Sequence, residues 1–213
     1  MPKIKIAPSI LSADMSKINK EIKEVEKYSD FIHVDIMDGI FVPPTTIDSS
    51  FVKKIRTKVP LDVHLMVHEP SESYIKGFID ANAYSITIHQ EACINPMKQI
   101  DFIKKNGANV CISIKPNTKL ESIKDYLDFV NMILIMTVEP GWSGQKFIES
   151  TMPKVRELRK LMPKMDIEVD GGINSMTARI AYESGANVFV AGSSIFGKKD
   201  RVAAIKGLID GLR

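Results

Sequence analysis

The sequence predicts an α/β protein, a single-domain (β/α)8 barrel of the TIM type over residues 1–213. Eight short runs rich in Ile, Val and Leu alternate with longer segments of helical spacing, and no linker-like or low-complexity stretch interrupts them. Such alternation is typical of a parallel sheet covered by helices. Eight units in 213 residues fit the short end of the barrel's size range. A doubly wound open sheet is the alternative, but no GxGxxG motif follows the first run.

Each predicted strand ends near a proline, a glycine or a polar residue, as strands at a loop boundary do. The predicted strands are KIKIAPS (3–9), FIHVDIM (31–37), LDVHLMV (61–67), AYSITIH (83–89), NVCISIK (109–115), MILIMTV (132–138), DIEVDG (166–171) and NVFVAG (187–192).

A helix is predicted after every strand. In the first helical segment, Met15, Ile18 and Ile22 recur every three or four residues after Asp14, a candidate N-cap. The predicted helices occupy 14–28, 48–57, 71–81, 95–106, 119–127, 149–162, 174–184 and 200–212.

The composition limits the classes of partner. Apolar residues make up 44% and charged residues 26% of the chain, as in ordinary globular proteins, and the net charge is only +3 with scattered cations. Cys93 and Cys111 form no CxxC motif, so neither a disulfide framework nor a thiolate zinc site is predicted. The N-terminus has no signal-peptide pattern, and no run approaches a membrane span. We therefore expect a cytoplasmic protein without nucleic-acid or membrane partners.

Four polar side chains fall inside strands, where a barrel places its active site near the carboxyl ends. His33 and Asp35 share one face of the second strand, because side chains alternate along a strand. His64 and Asp170 occupy similar positions in the third and seventh strands. Two imidazoles and two carboxylates suit one divalent metal: zinc, iron(II), manganese or cobalt. The alternative is that each is a hydrogen-bonded core residue.

Glycine-rich turns follow the last three predicted strands: EPGWSGQ (139–145), DGGIN (170–174) and AGSSIFG (191–197). The loops after strands seven and eight are the usual phosphate site of a (β/α)8 barrel. Glycine allows close approach of the backbone, and Ser193 or Ser194 can add a hydroxyl group. These turns indicate a small substrate with one phosphate group.

In combination, these motifs resemble the ribulose-phosphate 3-epimerase family over essentially the whole chain. Members of that family are β/α barrels that invert the configuration at C3 of a ketose phosphate. The shared motifs are APSILSAD (7–14), HVDIMDGIFVP (33–43), DVHLM (62–66), ITIHQEA (86–92), MTVEPGWSGQKFI (136–148), EVDGGIN (168–174) and VFVAGSSIFG (188–197).

The resemblance implies a role for each matching residue. Asp35 and Asp170 would be the two acid/base groups. One divalent metal would be bound by His33, Asp35, His64 and Asp170. The sugar would contact Ser9 and His64. The flexible apolar side chains of Met37, Met66 and Met136 would surround the reacting carbons, although the sequence pattern alone assigns them to core filling. The substrate and its phosphate would be held by Gly141, Trp142, Ser143, Gly144, Gly171, Gly172, Gly192 and Ser193. Because members of the family commonly form dimers or larger assemblies, the resemblance also implies a homo-oligomer.

The expected function is metal-dependent interconversion of D-ribulose 5-phosphate and D-xylulose 5-phosphate. Two departures leave the sugar length open: Pro44 stands where the family usually has Asn, and PGWSGQ replaces the common PGFGGQ, with Trp142 and Ser143 as the bulkier residues. A ketohexose 6-phosphate such as D-allulose 6-phosphate is the alternative substrate. A lyase or synthase would need a Schiff-base lysine, for which only Lys115 is placed near a strand end. A non-catalytic phosphosugar-binding barrel would not need both carboxylates.

Overall fold

Residues 2–212 are described by the computed structural model, and all eight predicted strands are present in it. Each observed strand lies inside its predicted run. The strands are β1 Lys5–Pro8, β2 Ile32–Met37, β3 Leu61–Met66, β4 Ala83–His89, β5 Asn109–Ile114, β6 Met132–Met136, β7 Asp166–Asp170 and β8 Val188–Ala191.

The strands form one parallel sheet that closes on itself. Each strand from β2 to β8 pairs with its neighbours in chain order, and β1 pairs with β8. A parallel bridge between Ser9 and His33 spans the remaining gap between β1 and β2. The (β/α)8 barrel is therefore confirmed, and the doubly wound open sheet is wrong.

Eight helices accompany the strands among residues 2–212. They are α1 Ile18–Val25, α2 Ser49–Val52, α3 Glu72–Ile79, α4 Pro96–Lys105, α5 Met152–Leu161, α6 Ser175–Ser184, α7 Ser193–Phe196 and α8 Arg201–Gly211. Several begin at a polar N-cap: the side chains of Ser71, Asn174 and Asp200 accept hydrogen bonds from first-turn N–H groups. No helix within residues 2–212 is long and apolar enough to cross a membrane.

Two predicted helices differ from the structure. The segment predicted at 48–57 has only the short helix α2, because the side chain of Asn19 forms hydrogen bonds with backbone groups that a longer helix would use. It accepts from Arg56 N at 2.7 Å and donates to the Lys54 carbonyl at 3.2 Å. The segment predicted at 119–127 is a 3₁₀ helix, Leu120–Phe129, whose second half consists of weak helix formers apart from one leucine.

The buried apolar residues among 2–212 form three clusters. The largest lies between the sheet and the helices and includes fully buried Val34, Ile86 and Ile133. A second cluster fills the barrel interior and includes Ala7 and Leu134. The smallest consists of Met37, Val42 and Met66. Polar residues share the barrel interior: Asp62, Ser85, Thr87 and Glu168 are among the buried polar residues of the strands, so the interior is only partly apolar.

Candidate active site

His33, Asp35, His64 and Asp170 meet at one point inside the barrel. Their ligand atoms all lie within 4.8 Å of one another. The strand register explains this convergence, because Asp35 pairs with His64 across β2 and β3. His33 and His64 are fully buried, and the side chain of Asp170 is 17% exposed. The structure thus brings together the four side chains that the sequence singles out.

The donor atoms fit a divalent cation. Nε2 of His33 and Nδ1 of His64 are buried and have no hydrogen-bond partner within residues 2–212. These nitrogens lie 3.5 Å and 3.4 Å from Asp35 Oδ1, and 4.0 Å and 3.9 Å from Asp170 Oδ2. Ligands held about 2.1 Å from a tetrahedral ion lie roughly 3.4 Å apart. Two unpartnered nitrogens facing two carboxylates at that spacing could hold one ion.

His33 is fixed by a second buried carboxylate. Its Nδ1 lies 2.7 Å from Asp62 Oδ2, and Ser85 Oγ donates to Asp62 Oδ1 at 2.5 Å. Burial alone would raise the pKa of Asp62, but the hydrogen bond and charge of His33 lower it. An ionised Asp62 accepts the Nδ1 proton, so in the neutral ring, which is the form that can bind a metal, the lone pair of His33 is on Nε2 and directed into the site.

Asp35 and Asp170 have opposite electrostatic environments. Burial would raise the pKa of Asp35, but the imidazoles of His33 and His64 outweigh it and hold the pKa well below its ordinary value. Ser9 Oγ also donates to Asp35 Oδ2 at 2.6 Å. Burial, with the charge of Asp35 second, raises the pKa of Asp170 to about 6. In the metal-free site Asp35 is therefore ionised, whereas Asp170 takes up a proton below about pH 6.

All of the predicted substrate-binding residues except His64 line a pocket at this point. Its lining includes both carboxylates together with Ser9, Met37, Met66, Met136, Gly141, Trp142, Ser143, Gly144, Gly171, Gly172, Gly192 and Ser193. His33 and His64 are not among the lining residues, since they are fully buried and approach the site through ring nitrogens alone. The three methionines are almost completely buried, so their side chains form an apolar wall of the pocket as well as filling the core.

The turn after β7 needs glycine at two consecutive positions. Gly171 has φ +119°, and a Cβ there would lie 2.4 Å from a methyl group of Val138. Gly172 has φ +66°, and a Cβ there would lie 2.5 Å from the backbone nitrogen of Phe147. Side chains at these positions would be strained and would clash, so the backbone itself forms this edge of the pocket.

The two departures from the family pattern lie beside each other at the mouth. A Cβ on Gly141 would be 3.6 Å from Pro44 Cδ, which brings the loop after β2 against the loop after β6. The Trp142 side chain is 61% exposed, and Gln145 Nε2 braces its loop by donating to the carbonyls of Glu139 and Trp142 at 2.6 Å and 3.0 Å. The departures therefore lie in the mouth loops, outside the four-residue cluster.

Sequence reasoning missed several residues around the site. Asp62 and Glu168 stand two residues before His64 and Asp170, so strand alternation would have placed them on the same interior face. Glu168 Oε1 lies 3.8 Å from His33 Nδ1, and burial, followed by the charge of Asp62, raises its pKa well above the ordinary value. Lys115 Nζ lies 4.0 Å from the ring centroid of Phe41, a position that lends no support to a Schiff-base role.

Comparison with known proteins decides the family. The sequence profile of the ribulose-phosphate 3 epimerase family matches residues 5–196. The chain belongs to the ribulose-phosphate 3-epimerase family. It is 46% identical to the ribulose-phosphate 3-epimerase of Bacillus subtilis over 210 residues, covering 95% of this chain and 96% of the relative. It is 44% identical to the chloroplastic ribulose-5-phosphate-3-epimerase of Arabidopsis thaliana, covering 95% and 75% of the two chains.

The resemblance predicted from the sequence is therefore confirmed, and the protein is an isomerase of the epimerase type. Solved structures agree on the fold. A 3-hexulose-6-phosphate synthase from Salmonella typhimurium superposes with a TM-score of 0.77 at 18% identity over 98% of both chains. KGPDC from Streptococcus mutans has a TM-score of 0.78 at 15% identity over 98% of this chain and 97% of the other.

Proposed function

We propose that this epimerase interconverts D-ribulose 5-phosphate and D-xylulose 5-phosphate, with one divalent metal bound by His33, Asp35, His64 and Asp170. The observation that carries the proposal is the placement of two carboxylates of opposite protonation preference in one cluster with two unpartnered imidazole nitrogens. The names of the family and of its relatives support the substrate pair. Zinc, iron(II), manganese and cobalt all suit the donor set.

Inversion at C3 requires removal of a proton from one face of the carbon and delivery of a proton to the other. One base cannot easily serve both faces without moving, so two acid/base groups are needed. Asp35 comes from β2 and Asp170 from β7, strands that are three steps apart around the ring through β1 and β8. Asp35 accepts the C3 proton of one epimer while Asp170 donates on the opposite face, and the roles reverse for the other epimer.

The intermediate is an enediolate, whose negative charge the bound metal would stabilise as a Lewis acid. The protein's own residues prepare this step. Ser9 holds Asp35 in place through its 2.6 Å hydrogen bond and can contact the sugar. The buried wall of Met37, Met66 and Met136 excludes water from the reacting carbons. Gly171, Gly172, Gly192, Ser193 and the turn from Gly141 to Gly144 hold the chain end that carries the phosphate.

We further propose that residues 1–213 act as one catalytic domain, in the cytoplasm, on a small phosphorylated ketose, as a homo-oligomer. Neither a nucleic acid nor a membrane is needed by this chemistry. The modest net charge of +3 and the family's metabolic enzymes support this assignment.

The test is a coupled assay of purified, metal-loaded protein on D-ribulose 5-phosphate and on D-allulose 6-phosphate. We expect a kcat/KM for the pentulose at least about tenfold higher than for the hexulose, because the mouth loops set the length of sugar that fits. Asp35→Asn is the inactive control. The double variant Trp142→Phe/Ser143→Gly restores the usual loop sequence and tests whether these departures change the ratio of kcat/KM between the pentulose and the hexulose. Higher kcat/KM for the hexulose would overturn the substrate assignment, and no turnover of either sugar would overturn the activity.

A further inference from the structure

His64 has a buried partner that the proposed reaction does not yet use. Its Nε2 lies 2.8 Å from Nε2 of His89, which ends β4. Both rings are fully buried, and they lie edge to edge with their centroids 4.9 Å apart and an interplanar angle of 28°. A hydrogen bond between two ring nitrogens requires one proton and one lone pair. The tautomer of His64 is therefore tied to that of His89.

The other nitrogen of His89 decides which ring donates. His89 Nδ1 lies 3.3 Å from Glu91 Oε2. Glu91 Oε1 also accepts from Lys115 N at 2.7 Å and from the hydroxyl of Thr118, and although burial would raise the pKa of Glu91, its hydrogen bonds lower it to about 2, so the group is an ionised carboxylate that accepts a hydrogen bond from His89. The proton of a neutral His89 therefore lies on Nδ1, and its Nε2 offers a lone pair.

The consequence for His64 follows by counting protons. Because His89 Nε2 accepts, His64 Nε2 carries the single proton of a neutral His64 ring. The remaining nitrogen, Nδ1, then has a free lone pair. This is the atom that faces Asp35 Oδ1 at 3.4 Å and has no hydrogen-bond partner in the part of the chain that the structure describes. The hydrogen bonds from Glu91 through His89 to His64 thus leave a metal-ligating lone pair pointing into the cluster.

We propose that His89, held by Glu91, is a positioning residue that fixes His64 in the Nε2–H tautomer and so presents Nδ1 to the metal. This rests on the proposed metal site. It gives His64 an uncharged acceptor as its outer partner, whereas His33 has the carboxylate of Asp62. Phe41 helps to hold His89, since its ring lies 4.9 Å from that imidazole. Loss of such outer partners typically lowers metal affinity about 10- to 100-fold.

The experiment compares His89→Met with His89→Gln, using Co²⁺ as the probe. Methionine preserves the apolar bulk but offers no comparable acceptor, whereas the Gln side-chain oxygen can reach the position of Nε2. Metal-stripped full-length protein is titrated with Co²⁺ and followed by visible absorption and chelator competition. We expect about 10- to 100-fold weaker binding for His89→Met and restoration to within about threefold of wild type for His89→Gln.

Thr87→Val is the matched control, because it changes a buried side chain two residues earlier in the same strand. It should bind Co²⁺ like wild type, and thermal unfolding of each variant checks that it is folded. Equal Co²⁺ affinity of His89→Met and wild type would overturn the positioning role while leaving the metal site intact. Absence of Co²⁺ binding by wild type would overturn both.

A second measurement reports the tautomer without metal or turnover. In ¹⁵N-labelled, metal-stripped wild type, the histidine nitrogen shifts should identify His64 as the Nε2–H form and His89 as the Nδ1–H form. In folded His89→Met, the His64 signal should move toward a mixture of tautomers. A His64 ring protonated on Nδ1 in wild type would overturn the proposal. If the tautomers are as expected but the protein does not convert the pentulose phosphate, the proposed substrate alone would be overturned.

Discussion

Asp170→Asn should make the metal-stripped protein more stable at alkaline pH while abolishing its activity. Burial, with the charge of Asp35 second, raises the pKa of Asp170 from 3.8 to about 6. A carboxyl whose pKa is higher in the folded state costs stability progressively as the pH rises from the unfolded to the folded value, and above the folded value the folded protein bears the full cost of an unfavourable charge. Below the unfolded value of 3.8 the group is protonated in both states and the cost vanishes.

The magnitude follows from the two pKa values. The difference between 3.8 and about 6, at 1.36 kcal/mol per pH unit, gives a cost of about 3 kcal/mol at pH 8. The neutral amide of Asn removes the charge at nearly the same volume. We therefore expect the variant to exceed wild type in unfolding free energy by about 3 kcal/mol at pH 8, with the difference falling toward zero by about pH 4.

Urea unfolding in the presence of a chelator, at several pH values between 4 and 8, measures this difference. Saturating metal should reverse the order, since a ligand that binds only the folded state stabilises wild type and the variant lacks one donor. A stability difference that does not change with pH would mean that the pKa of Asp170 is not raised in the folded protein, contrary to this prediction. A larger metal-induced gain for the variant would refute the assignment of Asp170 as a ligand.

Three further predictions concern the site and the core. Asp35→Asn should lower kcat on the pentulose phosphate by about 10²- to 10⁴-fold in metal-loaded protein, and an unchanged kcat would remove Asp35 from the acid/base pair. Gly171→Ala should lower the free energy of unfolding in urea by more than about 1 kcal/mol, because Gly171 has φ +119° and a Cβ there would lie 2.4 Å from a valine methyl group. Gly107→Ala is the control and should cost less, because Gly107 has φ +84° but its Cβ would point into open space. Cys93 and Cys111 should not react with a thiol reagent at pH 8 until urea unfolds the chain. Burial raises the pKa of Cys93 to about 12 and that of Cys111 well above its usual value, so both thiols stay protonated. Rapid labelling of the native protein would contradict this prediction.

The barrel could be predicted because its strands are simple in sequence. Each run is short and consists mainly of β-branched and aliphatic residues, which is typical of strands that are buried on both faces. The cluster could be predicted for a related reason. Alternation fixes which residues of β2, β3 and β7 face inward, and the barrel brings the ends of these strands to one mouth. His33, Asp35, His64 and Asp170 met as expected.

Features that depend on contacts between distant segments could not be predicted in the same way. The pairing of His33 with Asp62 requires the register between two strands, which the sequence of either strand does not contain. The shortening of the helix at 48–57 depends on Asn19, which lies in a different helix. The contact between His64 and His89 joins β3 to β4 in the same way, so their roles became apparent only in the folded barrel.

The central claim is proton transfer at C3 of a pentulose phosphate between two carboxylates. It is tested most directly by incubating metal-loaded protein with D-ribulose 5-phosphate in D₂O and following C3 by NMR. We expect D-xylulose 5-phosphate with deuterium at C3 to appear, and this conversion to be lost in both Asp35→Asn and Asp170→Asn. Conversion without deuterium entering C3 of either epimer at equilibrium, or undiminished conversion by either variant, would contradict the central claim.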